Sequence, residues 1–158
     1  MSMYAEIETN LLAQLQADAG LSAVKTFESD LREALFEESK LAKGFEGVQL
    51  PAISVSAHLA PTKSTPFSAG ETSHVIPVTA VVITRNMRKK TALSEAIDLA
   101  ERVEAVLEGA RRSDGRLGAN VFVTGEIVWN STVVSASPYS YALVSVEAQV
   151  LKIVEAAP

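Results

Sequence analysis

The sequence predicts an α+β fold, a mainly antiparallel sheet of four or five strands with helices packed on one face. Segments near the N-terminus and after residue 90 repeat apolar residues at helical spacing, whereas segments between and after them alternate with the period of a strand. The strands of the C-terminal third also follow one another without a helix between them, which implies antiparallel pairing. The 158 residues fit one domain, read as spanning 1–158, and the 47% hydrophobic content supplies a single core without disulfides or metals.

Met3 to Ala19 places Ile7, Leu11, Leu12 and Leu15 at helical spacing, with Glu6, Glu8, Gln14 and Gln16 between them, and Gly20 reads as the stop. Ala23 to Phe27 reads as a short strand because Val24 and Thr26 are β-branched. Ser29 or Asp30 then caps a second helix, Leu31 to Leu41. Its acids, Glu28, Asp30, Glu33, Glu37 and Glu38, suit a solvated face and a first turn that the helix dipole makes hospitable to negative charge. Ala52 to Leu59 alternates, with Ile53, Val55, Ala57 and Leu59 on one face and Ser54, Ser56 and His58 on the other, the pattern of a half-buried strand. Pro51 opens it and Pro61 helps to close it. Ala60 to Ser73, with Pro61, Pro66 and Gly70, is too long for a tight turn and reads as a projecting loop between antiparallel strands.

Val75 to Thr84 is rich in β-branched residues and apolar on both faces from Ala80 to Ile83, so its second half belongs deep in the sheet, while Pro77 pushes its first half toward an edge. The basic run Arg85-Asn-Met-Arg-Lys-Lys90 follows, and Thr91 caps a helix that runs to about Glu108, with Gly109 as its stop. Leu93, Ala96, Ile97, Ala100, Val103 and Leu107 form the apolar stripe of that helix, and Glu95, Asp98, Glu101, Arg102 and Glu108 its solvated face. After a polar loop from Arg111 to Ala119, two or three strands are expected, with Val121 to Thr124, Glu126 to Ser135 and Tyr139 to Val154 as candidates. Gly125 and Ser135-Ala-Ser-Pro138 divide them. The last strand is long enough to bend, break or project. Across the final turn, Trp129 is expected to approach Tyr141 or Tyr139, mainly as core packing.

The chemistry-bearing residues are sparse. No cysteine is present, which removes thiol nucleophiles, disulfides and Cys-based zinc sites and fits a reducing cytoplasm. His58 and His74, the two histidines, lack any His-x-x-x-His or His-Glu-x-x-His spacing. Neither a Gly-x-Ser-x-Gly turn nor a phosphate-binding glycine loop occurs among the eight glycines. No catalytic residue, metal or cofactor is therefore expected. The net charge of -5 argues against a specific nucleic-acid partner. The N-terminus carries acids where a signal peptide needs bases, and no apolar run approaches the ~20 residues of a membrane span, so no membrane partner is expected. What remains is surface. Arg85, Arg88, Lys89 and Lys90 precede a helix N-terminus, where the dipole disfavours positive charge; the run reads either as a soluble strand-to-helix turn or, given this adverse placement, as a contact for an acidic protein surface or nucleic acid. Pro66 and Phe67, on the long segment, complete the candidate protein interface.

The layout resembles the phage tail terminator proteins, particularly the tail terminator or tail completion family of Mu-like prophages. The resemblance rests on the N-terminal amphipathic helix, Leu50-Pro-Ala-Ile-Ser-Val55 entering a strand, the long loop, the strand Val75 to Thr84 and the helix with Ala96-Ile-Asp-Leu-Ala100. It continues through Val103 to Leu107, Gly109, and a hairpin with Trp129 and Tyr141 that ends in a long strand. It implies a homomeric ring, usually a hexamer, in the virion tail, assembled in the host cytoplasm. Such a ring caps the tail tube protein and offers a surface to a head-completion or neck protein, with contacts made by sheets and loops. A different head-tail connector protein is the nearest alternative. An alternative of another class is a small ligand-binding or enzymatic domain using the face around Ser54, Ser56 and His58.

Overall fold

The computed structural model describes residues 2–29, 48–58, 60–68 and 70–155. The predicted helix Leu31 to Leu41 and its cap at Asp30 lie outside the described residues. Two α-helices are described, α1 (Met3–Ala17) and α2 (Lys89–Gly109), together with a single 3-10 turn, Ala19–Leu21. The strands are β1 (Thr26–Ser29), β2 (Ala52–Ser56), β3 (Lys63–Ser68), β4 (Glu71–Asn86), β5 (Val121–Ala136) and β6 (Tyr139–Glu155). They form one six-stranded sheet in the order β1-β2-β4-β6-β5, with β3 pairing β4 beside β2. Only β1 and β2 pair in parallel; every other pairing is antiparallel. The α+β class and mainly antiparallel sheet are as expected, but the strand count is six rather than four or five.

The sixth strand comes from the segment read as a loop. Lys63–Ser68 is β3 of a hairpin with β4, and the turn passes through Gly70, whose φ of +81° suits a residue without a Cβ. Thr and Ser lie on both faces of this edge hairpin, so no apolar alternation marks it in the sequence. Pro66 is tolerated because β3 is an edge strand. Pro66 pairs with Thr72 and Ser68 with Glu71, which leaves Phe67 as an extra residue at a bulge. Pro77 does not displace β4 from the sheet. Pairing with β3 stops at Val75 and pairing with β2 starts at Thr79, and Pro77 falls in the gap, where a missing N–H costs least.

The C-terminal strands correct the sequence reading in a second way. Gly125 does not divide two strands. Thr124 faces Gln149 and Val128 faces Glu147, so Gly125, Glu126 and Ile127 stand opposite Ala148 alone, in a bulge within one continuous β5. The two extra residues preserve side-chain parity, which lets Val123 and Trp129 face the same side. Across the turn, β6 neither breaks nor projects; it pairs with β4 from Ser140 to Glu155.

Both helices lie on one face of the sheet. Ser2 caps α1 by accepting from Ala5 N at 3.1 Å, and Ile7, Leu11 and Leu15, all fully buried, project onto β1 and β2. The helix ends at Ala17, two residues before the expected end at Ala19, because Asp18 turns extended and caps the 3-10 turn by accepting from Gly20 N at 2.8 Å. Arg102 of α2 donates to the same carboxylate at 2.8 Å, tying the two helices together. Helix α2 buries Ala92, Ala96, Ala100, Val103 and Leu107, while Leu93 and Ile97 are only half-buried at its flank. Alanines at the contact allow the helix to approach β4 and β6, whose inward residues are Val78, Ala80, Val82, Val144, Val146 and Ala148. A smaller cluster on the opposite face joins Ala52, Val81, Ile83, Tyr141 and Leu143. With apolar clusters on both faces, β2 is buried throughout rather than half-buried, and it ends at Ser56.

Candidate protein interface

The basic run is positioned by two turns at one end of the sheet. Strand β4 ends at Asn86, whose Oδ1 accepts from Arg88 N at 3.0 Å and bends the chain into α2. Thr84, fully buried, donates its hydroxyl to the Ala92 carbonyl at 2.6 Å and fixes the first turns of α2 against the strand. The helix begins at Lys89, not after Thr91. Arg88 occupies the cap position without a side-chain cap bond, and no acid lies in the first turn. The hairpin turn Ser137–Pro138 arrives from β5 and β6 at the same end, since Asn86 pairs with Ser140 and Ala136 with Tyr139. Arg85 stacks over Tyr139, 4.7 Å from its ring centroid.

This tip is open to solvent. Met87 is 70% exposed, Tyr139 is partly exposed, and Arg85, Arg88, Lys89 and Lys90 are all exposed. Among the described residues, Arg88, Lys89 and Lys90 form no ion pair. Three cations thus crowd the positive end of a helix dipole with no internal compensation. The exposed Met87 thioether and Tyr139 ring beside Arg85 and Arg88 are residue types enriched at protein interfaces, which makes the tip a candidate surface.

The expected interface residues do not form one site. Pro66 and Phe67 sit on the β3–β4 hairpin at the start of β4, and the basic tip lies at its other end, separated by ~45 Å of strand. The expected approach of Trp129 to Tyr141 or Tyr139 is also absent. Trp129 faces Val146 on the helix-covered side, whereas Tyr141 faces Val134 and belongs to the opposite cluster. Trp129 instead lines a cleft of about 440 Å³ with Ile97, Asn130, Ser131 and Val144. A second cleft, about 460 Å³, lies between the end of α1 and β1, with a mostly polar lining that includes Gln16, Lys25, Glu28 and Gln49.

Of Ser54, Ser56 and His58, the two serines are enclosed and His58 is exposed. Ser54 and Ser56 are 1% and 2% exposed, and the Ser54 hydroxyl has no hydrogen-bond partner among the described residues. His58 lies 3.3 Å from Oε1 of Glu8, and the same oxygen accepts from Ala57 N at 2.9 Å. Glu8 therefore ties α1 to the end of β2, a partner that sequence spacing did not reveal. His74 bonds to Ser64 across the β3–β4 hairpin at 2.8 Å. Among the described residues, no group of three or more His, Asp or Glu is placed to hold a metal ion, and no helix is long and apolar enough to cross a membrane.

The outer ridge of α2 is solvent-exposed, as expected. Glu95, Asp98 and Glu101 are exposed at successive three-residue intervals, hence neighbours on one ridge, and form no ion pair among the described residues. Glu108 is different: its hydrogen bond from Arg111 holds its carboxyl below the ordinary value near 4.5.

No family model matches the chain, and none of the curated proteins does. Solved structures do match its fold. One is a chain from the virion of a native gene transfer agent (GTA) particle, similar with a TM-score of 0.50 and 18% sequence identity over 91% of this chain and 93% of that one. The likeness in fold therefore extends over most of this chain and most of that one.

Proposed function

We propose that this chain is a structural subunit of a phage-like virion and, within it, a tail terminator. Subunits form a ring, a hexamer in this reading, that caps the tail tube protein, ends its polymerisation and presents a surface to a head-completion or neck protein. The observation that carries the reading is the fold shared, over 91% of this chain, with a chain of the gene transfer agent virion. The basic tip and the β3–β4 hairpin, at opposite ends of β4, are two separate candidate contact surfaces, which leaves one for the ring and one for the tube or neck. The proposal needs no catalytic residue, cofactor or metal, and it places the protein in the tail after assembly in the host cytoplasm.

Removing the gene from a particle-producing strain tests the role. The expected result is tails of irregular, excessive length that fail to join heads. Tails of normal length with heads missing would replace the terminator by a connector or neck protein, and normal complete particles would overturn a structural role.

A further inference from the structure

We infer that the basic tip of one subunit docks on the acidic ridge of α2 of a second copy of this chain. The inference rests on the ring reading and identifies the two surfaces that meet. Arg88, Lys89 and Lys90 are exposed and without ion pairs among the described residues, beside Met87 at 70% exposure and the Arg85–Tyr139 stack. Each subunit also carries three exposed acids, Glu95, Asp98 and Glu101, along one ridge of the same helix, and they form no ion pair among the described residues. Both patches are unfavourable in the isolated subunit. Cations crowd the positive end of a helix dipole, and like charges lie within one turn of each other on the ridge. Bringing tip to ridge relieves both at once, three charges against three.

Within one subunit the two patches form no ion pair with each other. Because the two patches are different surfaces, tip-to-ridge contact can run head to tail from copy to copy, as a closed ring requires, whereas reciprocal pairing of the same patches would close a dimer. Met87 and Tyr139 give the contact an apolar centre inside the charged rim.

Charge reversal tests this on the full chain by sedimentation velocity. Arg88→Glu with Lys89→Glu and Lys90→Glu should weaken self-association on the order of 100-fold, as should Glu95→Lys with Asp98→Lys and Glu101→Lys. Mixing the two variants one to one should restore association, since each tip then meets an oppositely charged ridge; a folding defect would give no such rescue. Wild-type association should also weaken as salt rises. Unchanged association after either reversal, failure of the mixture to associate, or a wild-type chain that stays monomeric at its highest soluble concentration would overturn the docking. Rings that persist through both reversals would overturn it while leaving the tail role intact, because that role is read from tail length.

Discussion

The Arg85 guanidinium lies over the Tyr139 ring at 4.7 Å, so the basic run has two parts. Arg85 holds the β5–β6 turn against the end of β4, and Arg88, Lys89 and Lys90 remain without ion pairs among the described residues. Replacing Tyr139 by Ala should cost about 0.5–1 kcal/mol, the size of an exposed cation–π contact, whereas Tyr139→Phe should keep most of it. Urea denaturation measures the difference. Equal losses for the two variants would remove the stack from the account.

Thr84 anchors the start of α2 from inside the core. Thr84→Val keeps the shape but removes the donor to the Ala92 carbonyl, which retains its place in the helical ladder. The expected loss is about 1 kcal/mol, with Thr84→Ser closer to wild type. Denaturation midpoints at constant slope provide the check.

Glu8 predicts a larger effect. It is 8% exposed, and its carboxylate accepts from the backbone N–H of Ala57, which is fully buried. Glu8→Ala leaves that N–H unsatisfied and should cost about 1–3 kcal/mol; Glu8→Gln keeps an acceptor and should cost clearly less. The ordering of the two variants in thermal unfolding is the informative result.

Gly125 tests the bulge in β5. Its φ is +71°, and a Cβ built there meets no heavy atom within 4 Å, so the cost of Gly125→Ala is conformational alone. Roughly 1–2 kcal/mol is expected in equilibrium unfolding, with Gly125→Asn milder because Asn enters the left-handed region more readily. A neutral Gly125→Ala would mean that β5 pairs without this bulge.

The parts of the fold legible in the sequence are those where burial imposes a period. Ile7, Leu11 and Leu15 mark α1, and Ala142 to Val150 mark the inward face of β6, because each row packs against a single neighbouring layer. The β3–β4 hairpin was not legible because Lys63, Ser64, Thr65 and Pro66 are all exposed, and an exposed edge leaves no apolar rhythm. Burial of Ser54 and Ser56 was hidden for the opposite reason. Serine is small enough to be enclosed on a central strand, and its polarity reads as exposure. The charge of the tip was visible from Arg85 to Lys90, but the arrival of Tyr139 depends on the β4–β6 register, which no local pattern encodes. The acidic ridge looked ordinary because helix periodicity separates buried from exposed residues without indicating which exposed charges lack partners.

The central claim is a position in the particle. Electron microscopy of isolated tails labelled with an antibody to this chain tests it most directly. The account predicts label confined to the head-proximal end of the tube, over a closed ring; label along the tube, at the distal tip or absent from tails would contradict it.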